Sequence, residues 1–144
     1  MVKQLSVFLE NTKGRLAEMT EVLKEADLDL LALSIADTTS FGILRAIVSD
    51  NEKAVIALHD AGYTVHLNDV LAVVVPDHPG GLSDILKLLL KNDISVEYLY
   101  SFVRTPRQNA LILFKVDNPA VAAQLLKDND VKMLSQEDLI NMKI

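Results

Sequence analysis

The stretch Val73-Val74-Val75-Pro76-Asp77-His78-Pro79-Gly80-Gly81-Leu82 indicates how this chain folds. An apolar segment, which predicts a strand, runs into a short turn rich in proline and glycine, and an amphipathic helix follows at once. Earlier in the chain the same pattern occurs as Val7-Phe8-Leu9-Glu10-Asn11-Thr12-Lys13-Gly14-Arg15-Leu16. We call residues 10–16 the first corner and residues 76–82 the second corner, because each turns a strand into a helix.

Aligned identities indicate that the two corners belong to a duplicated sequence. Four residues at the start of the first copy recur in the second, where Gly14, Leu16, Leu23 and Asp27 match Gly80, Leu82, Leu89 and Asp93. After one inserted residue three more recur, and Asp50, Asn51 and Leu58 match Asp117, Asn118 and Leu125. These matches favour a duplication over chance.

Hydrophobic periodicity predicts the same element order in both copies: strand, helix, strand, strand, helix, strand. The predicted strands span residues 5–9, 28–37, 43–49 and 63–67, then 70–75, 94–104, 110–116 and 131–134. Simple alternation along 28–37 places Leu28, Leu30, Ala32, Ser34 and Ala36 on one face and Leu31, Leu33 and Ile35 on the other. The order is that of the ferredoxin-like sandwich, so we predict an α+β fold made of two βαββαβ units.

Polar residues and proline mark the predicted helix starts and turns. Asp50 is a predicted N-cap, and Pro119 suits a first helical position because its missing N–H would be unpaired there anyway. Ser135 to Asp138 predicts a capping box that opens a short terminal helix. Turns are predicted at 38–42 and 105–109.

The predicted domain boundary is Asn68-Asp69, which gives a first domain over 1–68 and a second over 69–144 that ends in the short helix. A half of about 70 residues is marginally stable alone, so we expect the halves to pack rigidly together. Several strands are apolar on both faces, which predicts that a second chain covers the open face of the sheet. We therefore expect a homodimer or a higher oligomer.

Composition excludes several classes of protein. The chain has 144 residues and a formal net charge of −6, which argues against a nucleic-acid binder because such proteins need a basic face. It has no cysteine, which excludes disulfides and thiolate metal sites and fits a cytoplasmic location. No apolar run reaches the roughly 18 residues of a membrane span, and the N-terminus lacks the layout of a signal peptide.

Catalytic and metal chemistry are not indicated by any motif. His59, His66 and His78 fall on a predicted helix, strand and loop, so their spacing does not predict a metal site. The sequence contains no nucleophile elbow, phosphate loop or dinucleotide fingerprint. We expect no catalytic residue, no metal and no cofactor.

The corners have the chemistry to bind a small anion or zwitterion. The first N–H groups of a helix lack internal partners and carry the positive end of the helix dipole. Glycine lets a ligand carboxylate approach the backbone closely, and Asn11 or Asp77 could hold an ammonium group. The alternative is that glycine and proline only make a tight turn, and ordinary turn chemistry explains these residues adequately.

Asp77-His78-Pro79-Gly80-Gly81-Leu82, set between an apolar strand and an apolar helix and followed by Ile94-Ser95-Val96-Glu97-Tyr98, resembles an ACT domain. That family is named for regulatory modules of aspartate kinase, chorismate mutase and prephenate dehydrogenase. The first copy is similar, although Lys13 stands where a proline is usual. The resemblance covers nearly the whole chain as a tandem pair.

The resemblance implies that each corner binds a free amino acid between two domains paired side by side. It assigns Asn11, Lys13, Gly14, Arg15 and Leu16 to one site, and Asp77, His78, Gly80, Gly81 and Leu82 to the other. The second strands would supply a facing wall, through Ser34 in the first copy and Tyr98 in the second. There Ala32, Ser34 and Ala36 align with Tyr98, Tyr100 and Phe102, a difference that either shapes two unlike pockets or is ordinary repacking.

Together these features predict a non-catalytic regulatory protein that senses a free amino acid at the interface between two ACT-like domains. A biosynthetic enzyme would be the regulated partner. The alternative is an oligomerisation or interaction module whose corners bind no ligand.

Overall fold

The computed structural model of the chain describes residues 1–37, 40–102 and 109–142. It divides the protein into two compact units. Lys3–Asn68 form the first unit, and Met1–Val2 together with Asp69–Ile144 form the second. Each unit repeats the predicted order of strands and helices, so the α+β, ferredoxin-like prediction is confirmed.

The first unit packs two helices on one face of an antiparallel sheet. Its elements are β1 (Val2–Glu10), α1 (Arg15–Glu25), β2 (Leu30–Asp37), β3 (Phe41–Val48), α2 (Asn51–Asp60) and the start of β4 (Thr64–Pro76). β3 lies between β1 and β2, with Leu5 opposite Ala46 and Ile35 opposite Leu44. The core joins the inward side chains of β1 and β3 to those of the helices, among them Val7, Leu44, Met19, Leu23 and Leu58.

The second unit repeats this arrangement with its own core. Its elements are β4, α3 (Gly81–Lys91), β5 (Val96–Ser101), β6 (Asn109–Val116), α4 (Pro119–Asp128), β7 (Met133–Leu134) and α5 (Gln136–Asn141). β6 pairs with β4 and β5, and the two-residue β7 pairs with β4, all antiparallel. The core includes Val73, Ile85, Leu89, Phe114 and Leu126.

One strand replaces two of the predicted ones. The predicted strands 63–67 and 70–75 are parts of β4, and the division between the units after Asn68 falls inside it. The physical reason is that no glycine or proline stands between Thr64 and Val75, so Asn68-Asp69 alone does not break the extended backbone. The last strand is also shorter than predicted, since β7 contains only Met133 and Leu134.

A bulge in β2 changes which residues face the helices. The pairing with β3 shifts between Leu30 and Ala32, so the predicted alternation holds from Ala32 onward but the prediction that Leu30 shares a face with Ala32, Ser34 and Ala36 is wrong. Beyond the bulge Ile35 lies opposite the core residue Leu44, on the helix side, while Ser34 lies on the other face opposite Arg45. Leu30, before the bulge, still packs against the core.

The second copy has its bulge at the matching position. The pairing of β5 with β6 shifts between Val96 and Tyr98. Tyr98 and Tyr100 therefore share the face away from the helices, with ring centroids 6.5 Å apart. The predicted strand 94–104 is shorter at both ends, and its residues 103 and 104 lie outside the described ranges, as do 38–39 and 105–108 of the predicted turns.

The helix ends also repeat between the copies. Asp27 and Asp93 follow α1 and α3 with φ of 55° and 57°, in the left-handed region. At the next residue the N–H of Leu28 donates to the carbonyl of Leu23, and that of Ile94 donates to Leu89, at 3.0 Å each. This 6→1 bond is that of the Schellman motif, which satisfies carbonyls left unpaired at a helix end.

The predicted helix starts are confirmed. The Asp50 side chain accepts from the N–H of Lys53 at 3.1 Å, and Asn118 caps α4 with Pro119 as the first helical residue. Ser135 and Asp138 form the predicted capping box. No helix in the described part of the chain is long and apolar enough to cross a membrane.

The capping box makes the start of α5 sensitive to acid. The backbone N–H of Ser135 donates to the Asp138 carboxylate at 2.9 Å, and this bond holds the pKa of Asp138 below its ordinary value of 3.8. A lowered folded-state pKa stabilises the folded state above the unfolded pKa, and this contribution is lost as pH falls through the folded value. We expect α5 to loosen below about pH 3.8, as followed by NMR titration of the Asp138 carboxyl and the Ser135 amide.

Ser135→Ala is the matched variant for this titration. It removes the hydroxyl that accepts from the Asp138 N–H at 3.1 Å but keeps the backbone donor. We expect the pKa of Asp138 to move part of the way back to its ordinary value. A pKa at or above 3.8 in the unmodified protein would contradict the capping argument.

Candidate functional site

The first corner is a hydrogen-bonded turn between β1 and α1. The N–H of Thr12 donates to the carbonyl of Glu10 at 2.8 Å, and that of Arg15 donates to Thr12 at 3.2 Å. Gly14 caps the helix with φ of 88°, a conformation that is costly for residues with a Cβ. The chain thus enters α1 directly from the turn, and Arg15 and Leu16 are the first two residues of the helix.

A cavity of about 220 Å³ opens at this corner, and we call it the first-corner cavity. Residues 9–12 form one wall, and Arg15 and Leu16 form another. Ile35 of β2 and Gly42 of β3 complete the lining. The residues of the lining therefore combine apolar side chains with an amide, a hydroxyl and a guanidinium, those of Asn11, Thr12 and Arg15.

Arg15 is held beside the cavity by a buried tyrosine. Its guanidinium carbon lies 4.2 Å from the centroid of the Tyr63 ring, which is a cation–π contact. Its Nη1 donates to the Tyr63 hydroxyl and to the Glu18 carboxylate at 3.3 Å each. Tyr63 is 4% exposed and belongs to the core of the first unit, so it is a fixed support for the arginine.

The structure brings together three of the five residues predicted for the first corner. Asn11, Arg15 and Leu16 line the cavity, whereas Lys13 and Gly14 lie in the same turn outside the lining. Ser34 is not in the lining either, because the bulge in β2 turns it to the other face and turns Ile35 towards the helices. Simple alternation groups Ser34 with Leu30, which packs on the core, and therefore does not identify Ile35 as the residue of this strand that lies near the corner.

The second corner is tighter than the first. The N–H of His78 donates to the carbonyl of Pro76 at 3.0 Å, and that of Gly81 donates to His78 at 3.1 Å. Gly80 caps α3 with φ of 92°, as Gly14 caps α1. Gly81 stands where the first copy has Arg15, and a Cβ built on it would overlap the carbonyl oxygen of Pro76.

A cavity of about 340 Å³ lies beside the second corner, and we call it the second-corner cavity. It is larger than the first-corner cavity and is lined by different elements. It runs from Pro76, His78 and Gly81 to the turn between α4 and β7. Its polar lining includes two carboxylates and one ammonium, those of Asp84, Asp130 and Lys132. Unlike the first, it has no residue of the bulged edge strand in its lining.

Two of the six residues predicted for the second site line this cavity. They are His78 and Gly81, whereas Asp77, Gly80 and Leu82 lie in the corner outside the lining. Tyr98 lies on the face of β5 away from the helices, beside Tyr100. The aligned aromatic and small residues of β5 and β2 thus line neither cavity. The turn 130–132 was missed because its sequence carries no motif.

The three histidines stay apart. His59 is exposed on α2, with Nδ1 3.9 Å from the Asp60 carboxylate, and His66 of β4 meets the Phe8 ring edge-on at 5.8 Å. The Nδ1 of His78 lies 3.0 Å from the carbonyl oxygen of Pro79. Within residues 1–37, 40–102 and 109–142, no three histidine or acidic residues are grouped closely enough to hold a metal ion.

Comparison with known families places the chain. A family model described as an ACT domain pair matches residues 1–143. The chain belongs to this family. The duplication and the two corners are therefore features of an ACT domain pair, as the resemblance implied.

Solved structures agree with this assignment. A Bacteroides thetaiotaomicron protein is 40% identical, with a TM-score of 0.91 over 98% of this chain and 96% of that one. The ligand-free regulatory subunit of aspartate kinase from Thermus thermophilus is 14% identical, with a TM-score of 0.64 over 88% and 90% of the two chains. At that identity the second likeness shows the fold alone. No curated protein matches the chain.

Gly81 provides a test of the tight second corner. Because a Cβ would overlap the carbonyl oxygen of Pro76, we expect Gly81→Ala to lower the free energy of unfolding by about 1–3 kcal/mol. Urea denaturation measures this change. Ser83→Ala, an exposed position on the same helix, is the control and should stay within about 0.5 kcal/mol of the unmodified protein. Equal midpoints for both variants would contradict the proposed crowding.

Proposed function

We propose that this ACT domain pair is a non-catalytic regulatory protein that binds a free amino acid at its first corner. The observation that carries the proposal is the first-corner cavity, whose lining residues join the amide of Asn11 and the guanidinium of Arg15 to apolar side chains. Its volume of about 220 Å³ is enough for several water molecules or a small amino acid. Small-molecule sites generally join an apolar lining to a few placed polar groups.

The start of α1 adds to this chemistry. The helix has 11 residues, and its first N–H groups carry the positive end of the dipole next to the cavity. A free amino acid has about ten heavy atoms, so its contacts would support micromolar to millimolar dissociation constants at usual ligand efficiencies. Such affinities suit a sensor of metabolite concentration. The regulated partner in this proposal is a biosynthetic enzyme, and the location is the cytoplasm.

Titration of the full chain with each of the twenty amino acids tests the proposal. Isothermal calorimetry should show at least one saturable ligand, and the same ligand should raise the melting temperature as its concentration exceeds Kd. If no amino acid binds, the chain is better explained as an interaction module whose corners serve only as turns.

Ile35 and Leu33 offer a matched pair of variants for this site. Both are 41% exposed on β2, but only Ile35 lines the first-corner cavity. Ile35→Glu places an unpaired carboxylate at the cavity wall, so we expect it to weaken amino-acid binding at least about tenfold. Leu33→Glu carries the same chemical change outside the lining and should bind as the unmodified protein does. Equal affinities for the two variants would exclude this cavity as the site.

We also propose that the protein is a homodimer or higher oligomer. The support is on the face of the first sheet away from the helices, where Phe8 is 41% and Phe41 is 54% exposed. Exposed aromatic side chains of this kind favour burial against another protein surface. We expect a mass of at least two chains in sedimentation velocity and a shift towards monomer in Phe8→Lys. A monomer at micromolar concentration would contradict the proposal, and Leu90→Lys, on the exposed side of α3, is the control.

A further inference from the structure

The guanidinium of Arg15 has N–H donors that have no acceptor among the described residues. Both of its hydrogen bonds are donated by Nη1, so among the described residues neither Nε nor Nη2 donates to an acceptor. Nε is buried without a partner, and the side chain as a whole is 28% exposed. An unmet donor on a charged group is costly, and a carboxylate is the acceptor that a guanidinium fork fits best.

The partners that Arg15 does have leave it able to bind a ligand. The Tyr63 ring stacks against the flat face of the guanidinium and does not neutralise its charge. Glu18 is 65% exposed, so its ion pair with Arg15 is screened by water and is weak. The Arg15 guanidinium is therefore held in position by the Tyr63 ring, while Glu18 balances its positive charge only weakly.

The other lining residues of the first-corner cavity indicate which further chemical groups a ligand would carry. Asn11 carries an amide oxygen and Thr12 a hydroxyl, and both can accept a hydrogen bond from an ammonium group. Leu9, Leu16 and Ile35 form an apolar wall that disfavours a charged side chain. One carboxylate acceptor, one ammonium donor and an apolar group are the three parts of an aliphatic amino acid.

We infer that Arg15, held in place by Tyr63, binds the carboxylate of an amino acid with an aliphatic side chain. This inference rests on the proposed function and adds the anchoring residue and the ligand class. Arg15 is the binding residue, and Tyr63 is a positioning residue that acts through it. The second copy lacks this anchor, since Gly81 stands at the position of Arg15.

Calorimetry on the full chain compares L-leucine with L-glutamate, L-lysine and 3-methylbutylamine, the amine that lacks the carboxylate of leucine. We expect the unmodified protein to prefer L-leucine over the amine by about tenfold or more, which is the range for a hydrogen bond to a charged group. L-Glutamate and L-lysine should also bind more weakly than L-leucine, because the apolar wall leaves their side-chain charges unpaired. Arg15→Met should lose that affinity and bring the ratio of leucine to amine close to one. The collapse of this ratio reports the carboxylate contact, and a change of folding alone would not produce it.

Lys24→Met is the matched control for the arginine variant. Lys24 lies on the same helix and pairs with Glu21 three residues before it, as Arg15 pairs with Glu18 three residues after it. It does not line the cavity, so its loss should leave both affinity and ratio unchanged. If Arg15→Met fails to fold, Arg15→Lys keeps the charge without the planar fork and should still weaken leucine binding severalfold.

Variants of Tyr63 and Glu18 test how the anchor is positioned. Tyr63→Phe keeps the ring and removes the acceptor, so leucine should bind about twofold to tenfold more weakly with a lower leucine-to-amine ratio. Glu18→Gln removes the competing carboxylate and should strengthen leucine binding. An unchanged ratio in Tyr63→Phe, or weaker leucine binding in Glu18→Gln, would overturn the assigned roles of these two residues.

The outcomes separate this inference from the proposed function. If amino acids bind but Arg15→Met binds them as tightly as Lys24→Met does, the anchor is wrong and the regulatory function stands. If L-glutamate or L-lysine is preferred, the ligand class is wrong. If no amino acid binds the unmodified protein, the proposed function fails first and this inference fails with it.

Discussion

The constraint on which each half of this protein depends is the left-handed glycine before its first helix. Gly14 and Gly80 have φ of 88° and 92°, where a Cβ costs about 1–2 kcal/mol. This conformation lets the chain leave a buried strand and enter a helix within a few residues. The helix then lies back on the sheet at one angle, and its inward residues, Met19 and Leu23 in the first copy, reach the core. The corner therefore fixes both packing and the position of any group at the helix start.

The residue that follows each of these glycines differs between the copies, and this difference gives the two corners different surroundings. Arg15 follows Gly14 and projects over Tyr63, whereas Gly81 follows Gly80 and packs its backbone against the carbonyl of Pro76. The first corner has room beside the edge strand, and the second has its cavity towards the turn after α4. The two copies thus share the backbone geometry of the corner, while the cavities beside the corners differ in volume and in lining residues.

Much of the fold could be predicted from the sequence, because its signals are local. Glycine at a corner, Asp50 before a helix and the Ser135–Asp138 capping box each act within one turn of chain, and each lies where expected. The resemblance to ACT domains identified the duplicated sequence as a tandem pair of that family, and the family model confirms this identification. The candidate site was less predictable. Asn11, Arg15 and Leu16 follow from the corner motif, but Ile35 enters the cavity only because β2 is bulged, and that bulge depends on the pairing with β3.

The paired bulges also change the free edges of the outer strands. β2 and β5 are the outer strands of their sheets, and an outer strand presents unpaired N–H and C=O groups to any passing chain. The bulges at Leu30/Ala32 and Val96/Tyr98 interrupt that row and increase the local twist, so a straight foreign strand cannot pair along its length. The same irregularity that brings Ile35 to the cavity is thus one of the devices by which edge strands are blunted against edge-to-edge pairing.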